Sequence, residues 1–125
     1  MTGLNPYLIA AARVMLAQLF IWGGIEKIAS YAGVQTYMEN AGVPGVLLPL
    51  VILTELGGGL AVLAGWQTRY VTLALAGFCL LTALFFHTNF ADQMQMIQFM
   101  KNLGLAGGFL ALSVAGPGAF ALDRN

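Results

Sequence analysis

Four long apolar stretches, each carrying an ionisable residue, constrain this chain more than any other feature. They cover about residues 8–28, 46–65, 70–87 and 97–115, with Arg13, Glu55, His87 and Lys101 inside them or at their edge. A charge in hydrocarbon costs roughly 2.5–3.5 kcal/mol on insertion scales. Such a residue persists where it faces a bundle interior and finds a partner. The pattern therefore predicts an all-α integral membrane four-helix bundle around a buried polar centre.

Composition leads the same way. The chain is 59% hydrophobic and 8% charged, against about 25% charged for an ordinary soluble domain. A spanning helix takes about 20 apolar residues. Four of them with short loops use nearly all of the 125 residues, so residues 1–125 read as a single membrane domain with no room for a soluble catalytic one. The net charge is zero and there is no basic run, so the expected partner is the lipid bilayer and not nucleic acid. A removable signal peptide is the competing reading of the first stretch. It fits poorly, because Met1–Tyr7 has no positive segment and Arg13 interrupts the apolar run. Cys79 is the only cysteine, which excludes an internal dithiol–disulfide cycle.

The loops predict the topology. Trp66–Arg69 is a tight connection that makes the second and third spans an antiparallel hairpin. Arg13, Arg69 and Arg124 fall toward one side, while Lys27 and Lys101 fall toward the other with Glu26, Glu39 and Asp92. The positive-inside bias then places both termini in the cytoplasm. Between the first two spans, Ser30 to Ala41 reads as a short interfacial helix. Ser30 is its cap, Tyr31, Val34, Met38 and Ala41 form its apolar face, and Gly42 and Pro44 stop it. It is a lid over the outer mouth of the bundle or a plain connector.

Helical phase indicates which faces look inward. Arg13, Ala17, Phe20, Gly24 and Lys27 share one stripe of the first span. On the fourth, Gln98, Lys101, Gly104, Gly108, Ala111 and Ala115 share a face, and Gly104 with Gly108 forms a GxxxG pair of the kind that lets helices approach closely in lipid. Glu55 precedes the small run Gly57–Gly58–Gly59. Depth along the helices predicts an Arg13–Glu55 pair near mid-membrane and an outward cluster of His87 and Lys101 within reach of Gln98, Asn102, Glu26 or Lys27. The pair is functional or merely holds the bundle together, and Lys101 joins the cluster or snorkels to headgroups. Met94, Met96 and Met100 are soft donors in principle, but methionines at a helix end read as packing, so no metal site is expected. Nor does the sequence carry a haem, flavin or iron–sulfur motif.

These residues resemble the DoxX family of small bacterial inner-membrane proteins, in particular its YqjF-like branch. The likeness runs over nearly the whole chain. It rests on Arg13, Gly23-Gly24-Ile25-Glu26-Lys27, the stretch Tyr37–Gly45, Glu55-Leu56-Gly57-Gly58-Gly59, Gly65 to Arg69 and His87. It continues through Phe99-Met100-Lys101-Asn102, Gly107-Gly108 and Gly116-Pro117-Gly118 before Asp123. The resemblance implies a four-helix bundle in the cytoplasmic membrane and a link to redox metabolism; relatives include a membrane subunit of a thiosulfate:quinone oxidoreductase.

Three functions are compatible with the sequence. The first is a quinone-binding or redox-associated membrane subunit. Its polar centre is drawn from Arg13, Lys27, Glu55, His87, Lys101 and Asn102, and a partner protein supplies the electrons. The second is a non-catalytic scaffold or assembly chaperone for other membrane proteins, acting through small-residue faces. The third is solute permeation, which needs a homo-oligomer because four short helices enclose little volume.

Overall fold

A computed structural model describes residues 3–123 of the chain. The described part is helical, with α1 Asn5–Ala29, α2 Tyr31–Asn40, a single 3-10 turn Gly45–Leu47, α3 Leu48–Ala64, α4 Thr68–Phe86 and α5 Gln93–Ala115. Four segments are long and apolar enough to cross a membrane: Asn5–Ala29, Gly45–Ala64, Thr68–Phe86 and Gln93–Ala115. Helix α2, of 10 residues, spans only about 15 Å and cannot. Arg124, assigned above to the side of Arg13 and Arg69, lies outside the described residues.

Helix ends follow local chemistry. Pro6 and Pro49 sit in the first turns of α1 and α3, where a missing N–H costs nothing. Helix α3 stops at Gly65, whose left-handed φ of 72° lets Trp66 N–H donate to the Ala61 carbonyl at 2.8 Å. At α5 the Asp92 side chain accepts from Met94 N–H at 2.9 Å, an ordinary N-cap. Ser30, by contrast, makes no side-chain cap bond to α2. It is also the C-cap of α1, donating its own N–H to the Glu26 carbonyl, so the chain passes from α1 to α2 with hardly a break.

The helices pack as two pairs, α1 with α3 and α4 with α5. A core of Ala17, Phe20, Val62, Leu75, Ala76, Cys79, Ala106, Phe109 and Leu112 joins them, with the Phe20 ring edge-on to Phe109 at 5.3 Å. Glycines set the spacing of α1 against α3. A Cβ on Gly59 would stand 3.1 Å from the Ile21 nitrogen and 3.2 Å from the Ala17 carbonyl oxygen, and one on Gly24 would stand 2.5 Å from Leu56 Cγ. In lipid, where no hydrophobic effect drives association, such close backbone contact holds helices together.

That register overturns one expectation. Antiparallel packing of Gly24 on Leu56 and of Gly59 on Ile21 places Arg13 against Gly65, ten residues or about 15 Å along α3 from Glu55. Arg13 and Glu55 therefore do not pair. The buried Arg13 guanidinium instead donates to the Phe120 carbonyl, and Glu55 pairs with Lys27.

A second correction concerns α5. Its buried face is Ala106, Phe109 and Leu112, because these larger side chains fill the space against α4 that glycine would leave empty. Gly104, Ala111 and Ala115 are exposed, and nothing within 4 Å would meet a Cβ on Gly104. Gly108 is half-buried and a Cβ on it would meet Leu16 of α1 at 3.4 Å, but Gly104 meets nothing, so the two glycines do not act as a GxxxG pair inside this chain. The stripe of α1 lies inward as expected: Arg13, Ala17, Phe20 and Gly24 are buried.

Residues 116–123 fold back as a clasp over the turn between α3 and α4. Leu122 and Asp123 donate backbone N–H bonds to the Ala64 and Gly65 carbonyls at 3.0 and 2.9 Å. The Asp123 carboxylate accepts from Gln67 N–H at 2.7 Å and from Thr68 N–H at 2.8 Å, so the N-terminus of α4 is capped from the far end of the sequence. These bonds, the Thr68 N–H foremost, hold the Asp123 carboxyl below its ordinary value. Tyr7 meets Phe120 with ring centroids 5.2 Å apart, so both chain ends lie at the same end of the bundle.

Candidate functional site

At the opposite end the two helix pairs diverge around a cavity of about 850 Å³. Each helix contributes a distinct wall. Helix α1 supplies Phe20, Gly23, Glu26 and Lys27, α3 supplies Val51 and Glu55, α4 supplies Phe78, Thr82, Phe86 and the following His87, and α5 supplies Gln98, Lys101, Asn102 and Leu105. Helix α2 lies over the mouth with Gly33, Val34, Tyr37 and Met38 facing in. Five of the six candidates named from sequence, Lys27, Glu55, His87, Lys101 and Asn102, share this one cavity, and Arg13 is absent from its wall.

Glu55 is the deepest charge. Its side chain is 10% exposed, and its Oε1 and Oε2 lie 3.0 and 3.1 Å from Lys27 Nζ. The absence of a side chain at Gly23 makes the arrangement possible, since a Cβ there would stand 2.9 Å from Glu55 Oε2. The Gly23-Gly24 step thus clears room for the carboxylate and for Leu56 in successive residues of α1. A desolvated carboxylate needs such a partner, because an unpaired buried charge is costly.

The other polar groups are less fully engaged. Asn102 Nδ2 donates to Thr82 Oγ1 at 3.0 Å, tying α5 to α4. Lys101 makes no hydrogen bond or ion pair among the described residues. His87 caps the C-terminus of α4, its N–H bonded to the Ala83 carbonyl at 3.1 Å, while its Nδ1 is shielded and without a partner among the described residues. The cavity therefore combines an ion pair at depth, a cation and an imidazole without protein partners, and aromatic walls at Phe20, Phe78 and Phe86.

Sequence reasoning missed several members. Thr82 reads as an ordinary mid-helix threonine, and nothing in the sequence marks it as the acceptor for Asn102. Of the aromatic walls, Phe20 lies on the inward stripe of the first span, whereas nothing in the sequence marks Phe78 or Phe86 as lining a cavity. The contribution of Gly23 could have been inferred from its position one turn before Lys27 on a face that carries a charge, had the register against α3 been known.

The same picture emerges from comparison with known proteins. The DoxX family model matches residues 8–88, which includes the Gly23–Lys27 segment, Glu55 and His87. The chain is 55% identical over 116 residues to the inner membrane protein YqjF of Escherichia coli (strain K12), covering 93% of this chain and 89% of that protein. It is 33% identical to the inner membrane protein YphA of the same organism, covering 97% of this chain and 91% of that protein. No solved structure matches. With four membrane-crossing helices and two relatives of the inner membrane, this is a multi-pass inner-membrane protein, and it belongs to the DoxX family.

Proposed function

We propose that the cavity binds the headgroup of a quinone and that the protein is a redox-associated membrane subunit working with a partner electron donor. One observation carries this reading. Lys101, which makes no hydrogen bond or ion pair among the described residues, and His87, whose shielded Nδ1 has no partner among them, line a cavity of about 850 Å³ whose walls are otherwise largely apolar and aromatic. A flat ring with carbonyl acceptors suits that combination: aromatic side chains take its faces, and charged or imidazole donors take its oxygens.

The residues fit the group in a stated way. Lys101 donates to one carbonyl oxygen, and the His87 imidazole meets another. The Lys27–Glu55 pair fixes α1 against α3 at the floor. A bound quinone would provide two-electron, two-proton chemistry, and the electrons come from a partner protein.

Equilibrium titration of the purified protein with a short-chain, water-soluble quinone tests this. A hydrogen bond to a charged group is worth about 1.5–3 kcal/mol, so Lys101→Ala should weaken binding by roughly tenfold or more. Equal affinity in the parent, Lys101→Ala and His87→Ala would overturn the reading.

A second reading is favoured by a different observation. Gly104, Gly107 and Ala111 of α5 are turned outward and meet nothing in this chain, a surface on which another membrane helix could pack closely. Under this reading the protein is a scaffold or assembly chaperone. Cross-linking in membranes would then recover a stable partner that Gly104→Leu loses.

A further inference from the structure

Beside the large cavity lies a second, small pocket of about 240 Å³ at the same end of the bundle. It is built from residues of the loop before α5 and its first turns, the polar Asp92, Gln95 and Gln98 and the apolar Met94, together with Tyr37 of α2 and His87. Three of these, Tyr37, His87 and Gln98, are also walls of the large cavity. The two spaces are therefore neighbours with a common partition.

Two features of that partition bear on what crosses it. His87 Nδ1 and Gln95 Oε1 are both shielded and without partners among the described residues, and both belong to the small pocket. Buried polar atoms are almost always hydrogen-bonded, by water where not by protein. A water molecule occupies about 30 Å³ of liquid, so the pocket has room for several. The second feature is how weakly the partition closes. The Tyr37 ring stacks on Phe86 with centroids 5.5 Å apart, and its hydroxyl reaches the Phe86 carbonyl at 3.5 Å, the long limit of a hydrogen bond. Helix α2 is tied mainly to the turn before α3, where Gln35 Nε2 donates to the Gly45 carbonyl at 3.2 Å; Met38 is its only buried residue among those described, and its C-terminal link contains Gly42 at φ +86°.

We propose that the small pocket is the aqueous antechamber of the cavity and that the Tyr37–Phe86 stack is the gate between them. Water and protons then reach Lys101 and His87 from the end of the bundle that carries α2, while the opposite end is shut by the clasp of residues 116–123. The proposal deepens the quinone reading by giving its protons a route, and it rests on that reading only for their use. The route itself is testable without any quinone.

Single cysteines placed in a Cys79→Ala background and reconstituted in vesicles provide the test, with a membrane-impermeant methanethiosulfonate bearing a quaternary ammonium as the probe. Gln98→Cys, on the shared wall, should react from one face of the membrane. Leu105→Cys, on the wall of the large cavity, should react slowly, and at least tenfold faster when Tyr37→Ala or Phe86→Ala removes the stack. Leu103→Cys, an exposed position of α5 outside both walls, should stay unreactive. Thiol titration after denaturation checks that each cysteine is present, and two gate variants guard against one that fails to fold. An unreactive Gln98→Cys, or a Leu105→Cys rate that neither gate variant changes, would overturn the proposal. Loss of quinone binding with these rates as described would overturn the function and leave the route standing.

Discussion

Lys27 Nζ lies 3.0 Å from Glu55 Oε1 across the close contact of α1 and α3, at the level where Gly23 and Gly24 bring the two backbones together. The lysine side chain is 30% exposed and the glutamate 10%, so the pair is partly screened. Lys27→Met should destabilise the protein by about 1–3 kcal/mol, less than the 3–5 typical of a fully buried pair. Glu55→Gln in the same chain should restore part of that loss, because it removes the charge left without a partner. Thermal unfolding in detergent of the two single variants and the double reads the coupling directly. Strictly additive losses would mean that the two side chains do not stabilise one another.

Glycine positions separate tight contacts from open surface. Gly59→Ala should cost about 1–3 kcal/mol, the usual range for overpacking, since its new Cβ would meet the Ile21 nitrogen and the Ala17 carbonyl, neither of which can rotate away. Gly104→Ala should be neutral or slightly stabilising, because nothing stands within 4 Å and alanine favours helix. Comparison of melting temperatures checks both. A strongly destabilised Gly104→Ala monomer would contradict the packing of α5 described above.

The tail clasp has a pH signature. Asp123 has its pKa lowered from 3.8 by the Thr68 and Gln67 N–H groups, so its carboxylate stabilises the fold above that ordinary value, and the contribution is lost as pH falls through the folded value. Asp123→Ala should therefore cost about 1 kcal/mol at neutral pH, the ordinary worth of an N-cap. The difference from the parent should shrink as the pH is taken down from the ordinary value of 3.8 and through the lowered folded value. Denaturation midpoints of both proteins across this window measure it.

Orientation is open to direct assay. Arg13 and Arg69 lie at the end of the bundle where Tyr7 meets Phe120, and the positive-inside bias predicts a cytoplasmic location for that end. A fluorescent-protein fusion after Asn125 should fluoresce, whereas alkaline phosphatase at the same position should be inactive. Active phosphatase would invert the membrane placement and put α2 on the cytoplasmic side.

Much of this architecture is legible in the sequence because a bilayer leaves few options. Hydropathy over the four stretches and the short Ser30–Ala41 segment stopped by Gly42 and Pro44 lead to the observed helices. The stripe from Arg13 to Gly24 is found buried. What the sequence hides is register and rotation. Arg13 and Glu55 look like partners when depth alone is compared, yet the contact of Gly24 with Leu56 slides them about 15 Å apart. On α5, small residues and large ones compete for the inward face, and Phe109 and Leu112 win because they fill volume against α4. Asp123 acts on α4 across 55 residues of sequence, and no local pattern could reveal such a cap. For the cavity, His87 and Lys101 are recognisable as an outward cluster within reach of Gln98, Asn102, Glu26 or Lys27, but that Glu55 lines the same space depends on the helix order.

The most direct test is native mass spectrometry of the protein purified in mild detergent, with extraction and identification of any bound lipophilic molecule. We expect a quinone to accompany the parent protein at a substantial fraction of one per chain and to be lost from the Lys101→Ala and His87→Ala variants while the fold survives. Identical quinone content in the parent and both variants, or none in any of them, would contradict the assignment of this cavity as a quinone site.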